Sequence, residues 1–180
     1  MSTPINHLSE ISACRDAVAW VEESKSESLE AAWLACQRGD WMLWYAAKKA
    51  GPVGDEKRKK LVLAACECAR LALPIWEKRY PDDKRVRDCI ETAEKWARDE
   101  ATLEALKVSR QNCYAASAYA YADAAYASAD AAYAAYAASA SASAYAAYAY
   151  ATAAAYSATK KKVLAECAAI VRKHYPTLPT

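Results

Sequence analysis

From Asp82 to Tyr175 the chain contains neither glycine nor proline, and within that span residues 114–158 are almost entirely Ala, Ser and Tyr. Alanine is the best helix former and nothing in the run breaks a helix, so the stretch from Thr102 to about Arg172 is expected to be helical. As one rod it would run roughly 107 Å at about 1.5 Å per residue, too long for a compact chain of this size. The expectation is therefore a hairpin of two long helices that reverses within Ala137–Ala144 (AASASASA), where no side chain is large enough to dictate packing. A membrane span needs about 20 strongly apolar residues, and no Leu, Ile, Val or Phe occurs between Ser109 and Lys162. A coiled coil needs branched residues at its seam, where this run offers Ala and Tyr.

A helical wheel at about 100° per residue sorts the tyrosines of the first arm. Tyr119, Tyr126 and Tyr133 recur every seven residues on one face, bordered by Asp123 and Asp130. Tyr114 and Tyr121 fall on the opposite face, in line with Leu103, Leu106 and Cys113, while Tyr145 and Tyr156 align with Val163, Cys167 and Ile170 in the second arm. Two readings follow. The tyrosines form the core of an Ala-rich bundle, each hydroxyl finding a partner. Alternatively, Tyr119, Tyr126 and Tyr133 line a groove in which rings stack on a planar ligand, and Asp123 and Asp130 accept hydrogen bonds from it. The two aspartates are the only charges between Arg110 and Lys160.

The length suits one helical domain over residues 1–180, with a bundle part (1–101) and the long hairpin (102–175). A formal charge of +2 is too near neutral for bulk DNA binding. Seven cysteines without CxxC spacing read as small core residues of a reduced, cytoplasmic protein; no apolar signal segment follows Met1. Cys66 and Cys68 diverge by about 200° on a helix, which argues against a metal hook.

Before the long run, the pattern predicts a loose start (1–8) and a first helix from Glu10 to Glu22 burying Ile11, Cys14, Val18 and Val21. A second helix, capped by Ser26, carries Leu29, Trp33 and Cys36 and stops at Gly39. A third, Trp41 to Ala50, is capped by Asp40; Trp41, Trp44 and Tyr45 cannot all face inward on it, and one face is expected to meet the hairpin. A fourth starts near Asp55 and buries Leu61, Ala64, Ala65, Cys68 and Leu71 until Pro74 ends or kinks it. A fifth, capped by Asp82 or Asp83, runs through Arg98 with Val86, Cys89, Ile90, Ala93 and Trp96 inward, and Thr102 caps the long arm. No β-alternation occurs, so the fold class is all-α.

The sequence holds no phosphate loop, nucleophile elbow or HExxH, and His7 and His174 sit near the ends of the chain, so neither catalysis nor a cofactor is implied. Charge is the remaining signal. Lys48-Lys49, Lys57–Lys60, Lys84-Arg85 with Arg87, and Lys160-Lys161-Lys162 form four basic clusters, either solvated faces or a rim that holds an acidic surface or phosphates.

The segments ACRDAVAW (13–20), AWLACQRGDWMLWYAAKKAG (32–51), LVLAACECARLALP (61–74), ETAEKWARDEATLE (91–104), the Ala/Tyr run and KVLAECAAIVRKHYP (162–176) together resemble the Imm-five-like immunity proteins of bacteria and phages. The resemblance implies a non-enzymatic cytoplasmic protein of the bacterial host that binds and neutralises a target, and it supplies no catalytic residues. Three functions stay open: a factor that docks on a toxin or effector protein, a phage-borne sponge for a cyclic or modified nucleotide immune signal, and an oligomerising structural protein. A protein binder needs an exposed patch around Trp41, Trp44 and Tyr45; a sponge needs a pocket joining the tyrosines and aspartates to basic residues such as Lys160, Lys161 and Lys162.

Overall fold

Asp55 and Thr102 mark two helix starts, and both hold their caps: Asp55 Oδ1 accepts from the Lys57 amide at 2.8 Å, and Thr102 Oγ1 from the Ala105 amide at 3.1 Å. The computed structural model describes residues 4–122 and 158–180; at Ile75, Arg79, 114–122 and 158–161 it describes the backbone alone. Its secondary structure is entirely helical among those residues: α1 (Pro4–Glu10), α2 (Arg15–Glu23), α3 (Leu29–Ala35), α4 (Gly39–Lys49), α5 (Glu56–Arg79), α6 (Arg85–Ala97), α7 (Leu103–Ala122) and α8 (Ala158–His174). The expected reversal in 137–144 lies outside the described residues.

Helix α5 is the central post. It packs against α4, α6 and α8, while α7 lies on α6 and α8 also lies on α4. Trp76, Leu43, Met42, Ile90, Val86 and Val171 are fully buried there. Trp76 orders the end of α5, donating its indole N–H to the Asp83 carbonyl at 3.2 Å and holding its ring 4.6 Å from that of Tyr80. Both flanks of the Ala/Tyr run reach this core, through Leu106 and Cys113 on α7 and through Leu164, Cys167 and Val171 on α8. Six cysteines are buried; no disulfide joins any of the seven. Burial pushes the Cys36 thiol up to about 11 and holds the Cys66 thiol well above its ordinary range.

Several boundaries differ from the sequence pattern. Residues 4–10 form a helix, with Leu8 in the core, instead of a loose start. The expected first helix is broken at Ser12, whose φ of 61° lets its amide reach the Ser9 carbonyl (3.0 Å) and the Ala13 amide the Leu8 carbonyl (2.9 Å), closing α1. Cys14 then starts α2 and is exposed, not buried. Ser28, not Ser26, caps α3, accepting from Ala31. Helix α5 runs through Pro74 to Arg79; the ring is exposed, and its cost is one lost bond to the carbonyl four residues back.

Gly39 is the most informative correction. It does not end α3, which stops at Ala35, but opens α4. A Cβ there would sit 2.7 Å from the Ala168 amide and closer still to the Cys167 side chain. The residue is glycine so that α4 and α8 can meet backbone to backbone. Asp40 does not cap α4 as expected; its buried carboxylate instead takes both Nε (3.0 Å) and Nη2 of Arg38.

Candidate functional site

The turn at 36–38 is tied down from α8, where Arg172 Nη1 donates to the Cys36 carbonyl at 2.6 Å. That anchor and the Asp40 pair place the Arg38 guanidinium 4.0 Å over the Trp41 ring. Trp41 in turn lies 6.0 Å from Trp20 of α2, with the rings tilted 55°. One turn along α4, Lys48 Nζ stands 5.2 Å over Trp44. Trp20, Trp41 and Trp44 are half-buried, and together with Leu8, Leu29 and Met42 they bound a small apolar cavity of about 60 Å³. The product is an aromatic surface with cations stacked on it at two points.

Tyr45 lines the same cavity but lies beneath the aromatic face. It is buried, 6.0 Å from the ring of Trp33, and its hydroxyl shares a 3.4 Å contact with His7 Nε2. Burial, helped by Glu30, raises its hydroxyl above the usual phenol range. Trp33 donates its indole N–H to the Tyr175 carbonyl at 3.0 Å, which brings the chain after α8 against α3 and α4. Sequence spacing alone gave no sign of Trp20, Trp33 or Arg38 here, because each comes from a different element or a turn.

The other candidates stand apart. Lys162 is exposed and 3.9 Å from Glu166, one turn along its own helix, and it lines neither the apolar cavity nor the cleft described below. Lys160 and Lys161 lie in α8 and Tyr119 in α7, with side chains outside the described residues; Tyr126, Tyr133, Asp123 and Asp130 lie outside them altogether. Among the described residues no group of three His, Cys, Asp or Glu could hold a metal ion, and no helix is long and apolar enough to cross a membrane.

On the far side of Leu178, a second, larger cleft of about 270 Å³ opens between the end of α4, the start of α5 and residues 175–180. Lys49, Lys57 and Lys60 line it, so two of the four basic clusters converge across the Gly51–Asp55 turn. Both sequence clusters were visible; the tail that closes the cleft was not.

The described residues are those of an all-helical protein with an aromatic and cationic surface. Residues 51–179 match the family described as Imm-5 like putative immunity protein, and the chain belongs to that family. The match begins after α4, so it does not include segments 13–20 and 32–50 or the aromatic surface built on them. No curated protein and no solved structure matches the chain.

Proposed function

We propose that this protein neutralises a toxin or immune effector by binding it through the α2–α4 aromatic surface, without chemical change to the target. The observation that carries this reading is the pairing of half-buried tryptophans with cations, Arg38 on Trp41 and Lys48 on Trp44. Tryptophan and arginine dominate the energetics of protein interfaces, and rigid rings give large contact area at little entropic cost. Lys48 is exposed and pairs with no carboxylate among the described residues, which suits a target presenting acidic groups at that edge. Membership of an immunity family supports a toxin as the target class.

The test is co-expression with a candidate toxin, scored by growth and by the dissociation constant of the purified pair. Truncating both Trp41 and Trp44 to Ala should cost about 2 kcal/mol or more, roughly thirty-fold in affinity. Because both rings also touch the core, Lys48→Glu serves as the surface variant: it should slow association while leaving the melting temperature in place. Full protection by a well-folded Trp41→Ala/Trp44→Ala protein would sink this reading.

A further inference from the structure

The second cleft gathers three lysines around one cavity. Several half-buried cations elsewhere have carboxylate partners, Arg38 with Asp40, Lys59 with Asp99, Arg70 with Glu94 and Arg87 with Glu77, while Arg58 and Arg172 are held by main-chain carbonyls. Lys49, Lys57 and Lys60 line one cleft, and no Asp or Glu side chain of the described residues forms an ion pair with any of them. Two of them rest on rings instead, Lys60 Nζ 4.8 Å over Tyr175 and Lys49 Nζ 5.8 Å over Tyr45. The acids next to Lys57 in sequence are engaged elsewhere: Asp55 Oδ1 caps α5, and Glu56 pairs with Lys59 at 2.8 Å.

Lys57 shows what the cleft accepts. Its ammonium donates at 2.8 Å to the main-chain oxygen of Thr180, so an oxygen acceptor already occupies one corner. The start of α5 adds the positive end of a long helix beside it. Most of the remaining wall is apolar, made of Ala46, Ala50, Pro176, Leu178 and Pro179, with Thr177 and Thr180 among them.

We infer that this cleft is a binding site for a phosphate group carried by a small molecule, held by Lys49, Lys57 and Lys60 with Tyr175 as its floor. Lysines act as point-charge phosphate binders, and three around one cavity match a multiply charged anion better than a single carboxylate. The apolar wall suits the organic body of a phosphate ester. The site is separate from the tryptophan surface, and its existence does not depend on the neutralisation reading.

Calorimetry at constant ionic strength, with inorganic phosphate, pyrophosphate and adenosine 5′-monophosphate as probes, tests this on the full chain. Saturable binding of at least one probe is expected, weakened tenfold or more by Lys49→Ala/Lys60→Ala. A Lys78→Ala/Lys95→Ala control, which removes two exposed lysines elsewhere, should keep the affinity. Binding of pyrophosphate would show that the phosphate head suffices; binding of the nucleotide alone would show that the organic body contributes. Lys60→Gln, which keeps the stem over Tyr175, guards against a folding defect and should also weaken binding. Absence of saturable heat with all three probes, or equal loss in the control variant, overturns the proposal. Neither outcome bears on toxin protection by Trp41 and Trp44.

Discussion

Gly39 shows how one residue can be read correctly for its chemistry and wrongly for its place. Its freedom from a side chain suggests a helix stop, but what the fold uses is the missing volume, with α8 packed where a Cβ would stand. Gly39→Ala should therefore destabilise the protein by about 1–3 kcal/mol, the usual range for overpacking, because the neighbours include main-chain atoms that cannot rotate aside. Urea unfolding of the variant measures this; an unchanged midpoint would mean that α4 and α8 are not locked backbone to backbone. Cys14 carries a related lesson. The apolar pattern places it in a core, but the break at Ser12 resets the helical phase and leaves it at the exposed start of α2.

At the scale of elements, the inward face of α6 was legible, since Val86, Cys89, Ile90, Ala93 and Trp96 fall on one side and all are buried, but Lys84, not Asp82 or Asp83, stands at its N-cap. Its end carries no glycine. Asp99, with φ of 62°, closes it by bonds from the Asp99 amide to Trp96 and from the Glu100 amide to Lys95, as Ser12 closes α1; Lys25, with φ of 50°, contributes a single bond to Glu22 at the end of α2. Those ends are hard to read because the sequence marks them with Ser, Lys and Asp. The docking of α8 on α5 is likewise a tertiary matter. Glu67 accepts from Lys173 Nζ at 2.7 Å and contacts His174 Nε2 at 2.8 Å. The Lys173 bond, more than His174, lowers the Glu67 carboxyl below its ordinary 4.5. A depressed carboxyl stabilises the fold above its unfolded value and loses that contribution as pH falls through the folded one. Glu67→Gln should thus be less stable than the wild type at pH 7, by about 1 kcal/mol or less for so exposed a clamp, with the gap closing near pH 3. Paired denaturation curves at the two pH values check this, and a gap that widens on acidification would contradict it.

For the whole molecule, the described ends of the Ala/Tyr run share one core: Leu106 and Cys113 bury α7 beside α6, and Cys167 and Val171 bury α8 beside α4 and α5. The tyrosine face of Tyr119, Tyr126 and Tyr133, with Asp123 and Asp130, is the part of the candidate site that only the sequence addresses. It decides between a target that is a protein and one that is a nucleotide signal. A core tyrosine truncated to Ala costs about 3–5 kcal/mol of stability, by analogy with Phe. A tyrosine that stacks on a base costs about 1–3 kcal/mol of affinity and little stability. Tyr126→Ala, measured in the Lys49→Ala/Lys60→Ala background so that the lysine cleft contributes no heat, separates the two. Neutralisation through the tryptophans predicts a large fall in melting temperature and no calorimetric heat with cyclic or linear nucleotides. It also predicts a bound chain, not a small molecule, in native mass spectrometry of the protein recovered from toxin-bearing cells. Saturable nucleotide heat that Tyr126→Ala abolishes at unchanged melting temperature would instead make the tyrosine face a nucleotide sponge and displace the tryptophan surface as the seat of function.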